Sequence, residues 1–467
     1  MRLSLLVATA FALALTGVPS QARDANDALT VPPSGVLGVG EAQLSAAFWV
    51  GRLAHPDQVV LGRPAIEAQN ARLFKLDRSM HDLHAVPSKL SRELIAGWIG
   101  ELSQRPQRPL FDIDGKPVSA ATLDALVADL ALAAIPAQQD TRYGLITQRA
   151  ALRTFPTALR VFSEKGETDI DRFQETAEFP GTPVVVAHVS ADGRWLFVIS
   201  PRYAAWTEAE NVAVGSAAQV FGYADKAPYR VVTGAVERTV YTREQPAVSQ
   251  LPLDMGTRVP LLTALPADQP VNGQSPYTSH VIELPLRQAD GSLAFTPALL
   301  QKNTDTAADY LPLTRANIIR QAFKFLGERY GWGHAYDGRD CSGFVSEVYH
   351  SMGVQMPRNT SRQAISPALE HRLFTDKDSR EDRIKAARAL QVGDLVYIPG
   401  HVMMVIGEWH GQPYVIHDVN GMRYRKADGS RAQIKLNAVS VTPLLPLLFN
   451  DKQTYVDRMT SIVRIRP

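Results

Sequence analysis

The period at which apolar residues recur changes twice along this 467-residue chain, and no single core accommodates all three textures. Residues 23 to about 140 run at the helical period. "SKLSRELIAGWIGELS" (88–103) opens on a serine cap candidate and spaces Leu94, Ile95, Trp98, Ile99 and Leu102 along one face. "SAATLDALVADLALAAI" (119–135) predicts a second helix ended by Pro136, and Gln138-Gln139-Asp140 marks a boundary. From 141 the period falls to two. "TPVVVAHVS" and "WLFVIS" flank an Asp192-Gly193 hairpin signal, which suits a small barrel over 141–215. "YRVVTGAVERTVYT", "RVPLLTAL" and "SHVIELPL" repeat the texture and predict a second barrel over 216–304. Residues 305–467 mix both periods. Helices are expected in "RANIIRQAFKFLGERYGWGH", ending near Gly327, and in "CSGFVSEVYHSMG". A solvated loop and helix follow in "EHRLFTDKDSREDRIKAARA", then strands in "DLVYIPG", "HVMMVIG" and "PYVIHDVNG". The expected fold class is multidomain: a mainly α N-terminal part, two small all-β barrels and a C-terminal α+β domain.

The first 22 residues, "MRLSLLVATAFALALTGVPSQA", carry Arg2, an apolar run from Leu3 to about Leu15, and small residues at Ser20 and Ala22. The run falls short of the ~20 residues a membrane span needs. It predicts a signal peptide cut after Ala22, hence a periplasmic or secreted chain with no stable membrane anchor. A net charge of +2, from 49 basic and 47 acidic residues, offers no reason to expect nucleic acid. A monomer is expected. One cysteine cannot make an internal disulfide. Without Cys-x-x-Cys or His-Glu-x-x-His there is no recognisable metal ligand set, and no cofactor is expected.

That cysteine sits in "RDCSGF" (339–344). Phe344, Val345, Val348, Tyr349 and Met352 recur at helical spacing after it, Gly353 is a terminator, and Asp340 is a favoured cap type. Cys341 therefore belongs in the first helical turn, where free N–H groups and the helix dipole lower a thiol pKa. Asp340 opposes that through its own charge, unless helix N–H groups or a substrate cation occupy its carboxylate. A nucleophilic thiolate needs a base. A hairpin centred near Trp409 would set His401 directly opposite His417, one imidazole serving as base and the other orienting it. His334, His350, His371 and His410 lie in less informative places.

"LGERYGWGHAYDGRDCSGF", "PRNTSRQ", "GDLVYIPGHVMMVIG" and "VIHDVNG" together resemble the NlpC family of papain-like cell-wall cysteine peptidases, over about residues 310 to 425. "RYGLITQRAALRTFPT" and "DIDRFQETAEFPGTPVVVAHVSADGRWLFV" are similar to multidomain members with an N-terminal helical clip and two bacterial SH3-like domains. The resemblance implies a clip over 23–140, SH3-like barrels over 141–215 and 216–304, and a peptidase domain over 305–467. It further implies peptidoglycan or its stem peptides as partner, and hydrolysis of the bond between D-γ-glutamyl and a diamino acid. By motif, Cys341 is the nucleophile, His401 the base and His417 the orienting third member. Tyr330 resembles the tyrosine near the oxyanion site, and Asp340 and Ser342 resemble pocket residues. In some members the counterpart of Asp340 holds the free amine of an N-terminal L-alanine. Glu175 and Tyr203 stand for the acidic and tyrosine side chains with which an adjoining barrel closes the pocket. Two departures stand out: Trp332-Gly333-His334 replaces Trp-Gly-Gly, and the loop from Tyr330 to Cys341 is about one residue short. Competing readings are an amidase or acyltransferase on the same fold, and an inactive wall-binding protein that uses its barrels.

Overall fold

The structure, a computed structural model, describes residues 29–466 apart from 267 and 427, so the expected signal peptide lies outside the described residues. Before the first barrel come α1 (Ala46–Val50), α2 (Arg63–Leu76), α3 (Arg92–Leu102) and α4 (Ala120–Asp129). These helices split between two other cores. Val39, Trp49 and Ile66 join the C-terminal core. Leu90, Ile95, Ile99 and Leu123 join Val185, Phe197 and Trp206 of the first barrel. Short strands stitch both halves down, Val59–Leu61 to Leu313–Thr314 and Lys89–Ser91 to Gln138–Asp140.

Two helical expectations need correction. The cap of α3 is Ser91, whose hydroxyl accepts from the Leu94 N–H, and Leu94 itself turns to solvent. Burial there follows Ile95 and Ile99, four apart. The second helix ends at Asp129 rather than 135. The Asp129 carbonyl accepts from Ala191 N–H at 3.0 Å and its carboxylate from Asp192 N–H at 3.2 Å. The barrel's hairpin turn thus claims the end of the helix, and Ala131 leaves the helical region with φ +48°.

Seven antiparallel strands form the first barrel, in the order Val212–Gly215, Arg142–Ile146, Pro183–Val189, Trp195–Ile199, Ala204–Glu208, Ala150–Arg153, Gln174–Glu178. Val184, Val186 and Val198 fill the inside. Val185, Ala187 and Phe197 face the helices outside. Cover on both faces explains why "VVVA" and "WLFVI" read as unbroken apolar runs instead of alternating. The second barrel opens with a helix the periodicity did not reveal, α5 (Ala217–Asp225), held by a Ser216/Gln219 capping box. Its core gathers Val232, Leu253 and Val259 from short antiparallel pairs, and Ile282, Leu284 and Leu300 from the long hairpin of Ser279–Arg287 with Leu293–Gln301.

The C-terminal unit packs α6 (Arg315–Phe323) and α7 (Cys341–His350) on a six-stranded antiparallel sheet, with the short α8 (Thr360–Gln363) beside α7 and α9 (Arg380–Arg388) near the other end. The strand order is Glu370–Leu373, Ser461–Arg464, Leu395–Ile398, His401–Trp409, Gln412–Arg425, Arg431–Pro443. Glu370–Leu373, expected as solvated loop, is the edge strand of this sheet. No helix among the described residues is long and apolar enough to cross a membrane.

A buried ionic chain ties the units together. Arg339 has no exposed side-chain surface and donates to Glu347, to Glu328 at 2.8 and 2.9 Å, and to Asp254 of the second barrel at 2.8 Å. Arg149 of the first barrel reaches the same Asp254 and the Gly338 carbonyl.

Candidate active site

Cys341 begins α7, and Asp340 is its cap: the Asp340 carboxylate accepts from Gly343 N–H at 2.9 Å. The Cys341 N–H has no hydrogen-bond partner among the described residues, as the first position of a helix leaves it. A cavity of about 450 Å³ opens in front of the sulfur. Its walls include Glu175, Tyr330, Asp340, Ser342, Arg358 and Thr360.

Asp340 is occupied from within. Arg358 donates to its two oxygens at 3.1 and 2.7 Å, Gly333 N–H donates at 3.1 Å, and Ser342 Oγ donates at 3.1 Å. Burial would raise the Asp340 pKa, but the Arg358 guanidinium outweighs it and holds the carboxyl at about 2. Arg358 lies in "PRNTSRQ", and nothing in its local sequence marks it as the partner of Asp340. Its remaining donors go to Thr176 at 2.6 Å, Ser342 at 2.9 Å and His334 Nδ1 at 2.9 Å. His334, where the resemblance calls for glycine, is buried and closes the chain on Glu347 through Nε2 at 2.7 Å. Burial and Arg358 lower its pKa to about 4.

The thiol expectation is overturned in direction. Burial pushes Cys341 up to about 12, and Asp340 adds to the rise. The Val402 N–H and the Thr360 hydroxyl act the other way, and Asp418 reinforces the rise. A helix dipole contributes about half a charge in its first turn, too little to outweigh lost solvation and a neighbouring carboxylate. Asp418 was not anticipated. It is fully buried, neither carboxyl oxygen has a hydrogen-bond partner among the described residues, and burial with Asp340 and Glu328 nearby raises its pKa far above the usual range. Burial likewise raises Tyr330, followed by Cys341 and Asp340.

The histidines meet, though in a different register from the one expected. The turn is His410-Gly411, both residues at positive φ, with Trp409 paired to Gln412 and Gly407 to Tyr414. Ile406 is then an extra residue, and pairing resumes at Val405 with Val415 and Met404 with Ile416. Continuing that ladder sets Met403, not His401, opposite His417. His401 lies two residues along on the same face. Without the bulge the two imidazoles would point to opposite faces, since one residue of slip reverses every side chain. His401 Nε2 is 2.7 Å from His417 Nδ1, and His417 Nε2 is 2.9 Å from Thr442 Oγ1. With Thr442 as acceptor, both rings carry their proton on Nε2, which leaves His401 Nδ1 as a free lone pair. Burial lowers His401 to about 4. His417 falls further below its usual value, through burial and its neighbour His401. The sulfur lies at the Val402 N–H, one residue past His401, and its hydrogen-bond partner among the described side chains is Thr360.

The first barrel reaches the same cavity. Glu175 accepts from Tyr203 Oη at 2.5 Å and from Thr154 Oγ1 at 2.6 Å, and makes no ion pair among the described residues. Burial, then Glu175, raise the Tyr203 pKa.

A lone thiol at a helix start, beside a strand that carries one of two linked imidazoles, agrees with what the comparisons find. The family model described as NlpC/P60 family matches residues 327–440. The chain carries an NlpC/P60 domain. A second model, an SH3 domain of the SH3b1 type, matches residues 160–208, within the first barrel. Among curated proteins, "Probable endopeptidase p60" of Listeria seeligeri is 34% identical over 119 residues, 24% of this chain. Its Listeria welshimeri counterpart is 32% identical over the same length. The match spans only 19% of each of those proteins. A solved NlpC/P60 endopeptidase from Photobacterium damselae subsp. piscicida superimposes with a TM-score of 0.71 at 15% identity, covering 89% of this chain and 96% of that one. At that identity the likeness speaks for the fold, and it extends beyond the NlpC/P60 domain to the barrels and helices before it.

Proposed function

We propose that this chain is an exported peptidoglycan hydrolase that cleaves the bond between D-γ-glutamyl and a diamino acid in stem peptides. The observation that carries the reading is the pairing of an unbonded Cys341 N–H and a cavity-facing sulfur with a His401–His417–Thr442 relay that leaves His401 Nδ1 without a hydrogen-bond partner among the described residues. His401 Nδ1 takes the thiol proton as Cys341 Sγ attacks the γ-glutamyl carbonyl. The high thiol pKa means that no thiolate stands in the resting enzyme; it forms as the proton passes to His401 and is consumed as attack follows. The Cys341 N–H and the Tyr330 hydroxyl stabilise the oxyanion. Collapse breaks the C–N bond, His401 returns its proton to the leaving amine, and water hydrolyses the thioester. His417 holds His401 in the productive tautomer, and the relay ends on Thr442. The reaction asks for no cofactor.

Asp340 serves as helix cap and Arg358 partner, so the substrate ammonium falls to Glu175, the cavity carboxylate without a cation, with Tyr203 fixing its orientation. The arrangement of residues 23–140 as a clip, 141–215 and 216–304 as SH3-like barrels and 305–467 as the peptidase belongs to the same proposal. Mass spectrometry of defined stem peptides, with and without a free N-terminal L-alanine, tests it. Wild type should cut the first peptide between the second and third residues, and Cys341→Ala should cut neither. Equal cleavage by both proteins sinks the mechanism, and equal cleavage of both peptides by wild type sinks the ammonium site.

A further inference from the structure

The Cys341 sulfur must become anionic in a place that resists it. It is buried, flanked by Asp340 and Asp418, and pushed up to about 12. The groups that meet it are the Val402 N–H and Thr360 Oγ1, the latter at 3.8 Å.

Thr360 is held there by a rigid frame. It opens α8 directly after Arg358 and Asn359, and Arg358 is tied to Asp340, Ser342 and Thr176. At the other end of α8, Gln363 is fully buried, and its amide donates to the Ser342 carbonyl at 3.2 Å, Ser346 Oγ at 2.9 Å and the Pro357 carbonyl at 2.8 Å. Both ends of α8 are thus fastened to the first turns of α7. The Thr360 hydroxyl has no hydrogen-bond partner among the described residues except the sulfur, so its proton is free to turn either way.

We infer that Thr360 is a further catalytic residue, whose hydroxyl donates to the Cys341 thiolate as it forms. While the sulfur is protonated, S–H and O–H can each serve as donor. When the S–H proton passes to His401 Nδ1, the sulfur becomes an acceptor only, and the Thr360 O–H donates to it. As the S–C bond forms, charge moves from sulfur to the carbonyl oxygen and the Thr360 bond slackens. The contact therefore favours the nucleophile at its most charged point. The main-chain Val402 N–H is available in any variant, whereas the Thr360 hydroxyl is removable.

The inference rests on the peptidase reading, but its test does not need peptide hydrolysis. Iodoacetamide alkylation of Cys341 in the full chain, followed by mass spectrometry from pH 7 to 10, reads the sulfur directly. Thr360→Val keeps the shape and removes the hydroxyl; a thiol pKa raised by about one unit means about tenfold slower alkylation at fixed pH below it. Because a more basic thiolate is also more nucleophilic, the expected slowing is about three- to tenfold. Thr360→Ser should restore the rate to within about twofold of wild type, and kcat/KM on a stem peptide should follow the same order. Valine alkylated as fast as wild type, or serine as slow as valine, overturns the inference. Failure of wild type to cleave any stem peptide counts instead against the proposed function.

Discussion

Replacing Arg339 with methionine should remove about 3–5 kcal/mol of stability, because it strips the cation from a buried cluster of carboxylates. The guanidinium is fully enclosed, lies 4.3 Å from the Phe325 ring centroid, and serves Glu347, Glu328 and Asp254 at once. Methionine fills most of the volume and restores none of the charge. Glu328 is 21% exposed and can turn to water, so it contributes least. Glu347 keeps His334 at 2.7 Å and Asp254 keeps Arg149, which holds the estimate well below the sum of three broken pairs. The pH dependence has a definite sign. In wild type burial tends to raise the Glu347 pKa, but Arg339 and His334 outweigh it and depress it. Glu347 thus adds stability that is present above the unfolded carboxylate pKa of about 4.3 and lost as pH falls through the depressed folded value. In the variant, burial wins and the folded pKa rises above the unfolded one, so the deficit is full at pH 8 and narrows below about pH 5. Asp254 is already raised to about 6 by burial against both arginines, so Asp254→Asn in the Arg339→Met background should recover about 1–2 kcal/mol. Denaturant titrations followed by tryptophan fluorescence at pH 8 and pH 4.5 measure both effects. A deficit under about 1 kcal/mol at pH 8, or one that ignores pH, would refute the idea that Arg339 balances these carboxylates.

Trp49→Ala should cost about 3–5 kcal/mol and expose residues 29–80 to limited proteolysis before the barrels are cut, because Trp49 is 1% exposed against Tyr414 in the C-terminal core. Digestion unchanged from wild type would show that this stretch is held down elsewhere. Alkylation of Cys341 should keep accelerating through pH 9, in keeping with a thiol pushed up to about 12, and a plateau near pH 7 would mean the helix dipole outweighs burial after all.

Local pattern carried a great deal here. The start of α7 at Cys341, the Asp340 cap and the barrel hairpin at Asp192-Gly193 follow from capping chemistry, turn chemistry and period, all properties of a few adjacent residues. The segment order of the NlpC/P60 resemblance was legible for the same reason. Where local pattern misled, a distant segment had intervened. α4 stopped early where a hairpin turn took the acceptors of its last residue, Asp129, and Leu94 faced solvent because the neighbouring barrel covers another stripe of α3. The single inserted residue Ile406 is invisible to periodicity, yet it decides that two imidazoles share a face.

The amino-acid order alone thus settled that one thiol stands at the start of a capped helix, among candidate histidines. Its charge state was decided only in three dimensions. Arg358 reaches Asp340 from eighteen residues away, and Asp418 comes from the second strand of the His410-Gly411 hairpin. Electrostatic energy depends on distance through space and on how much water is excluded, and neither quantity is written in the spacing of residues along a chain.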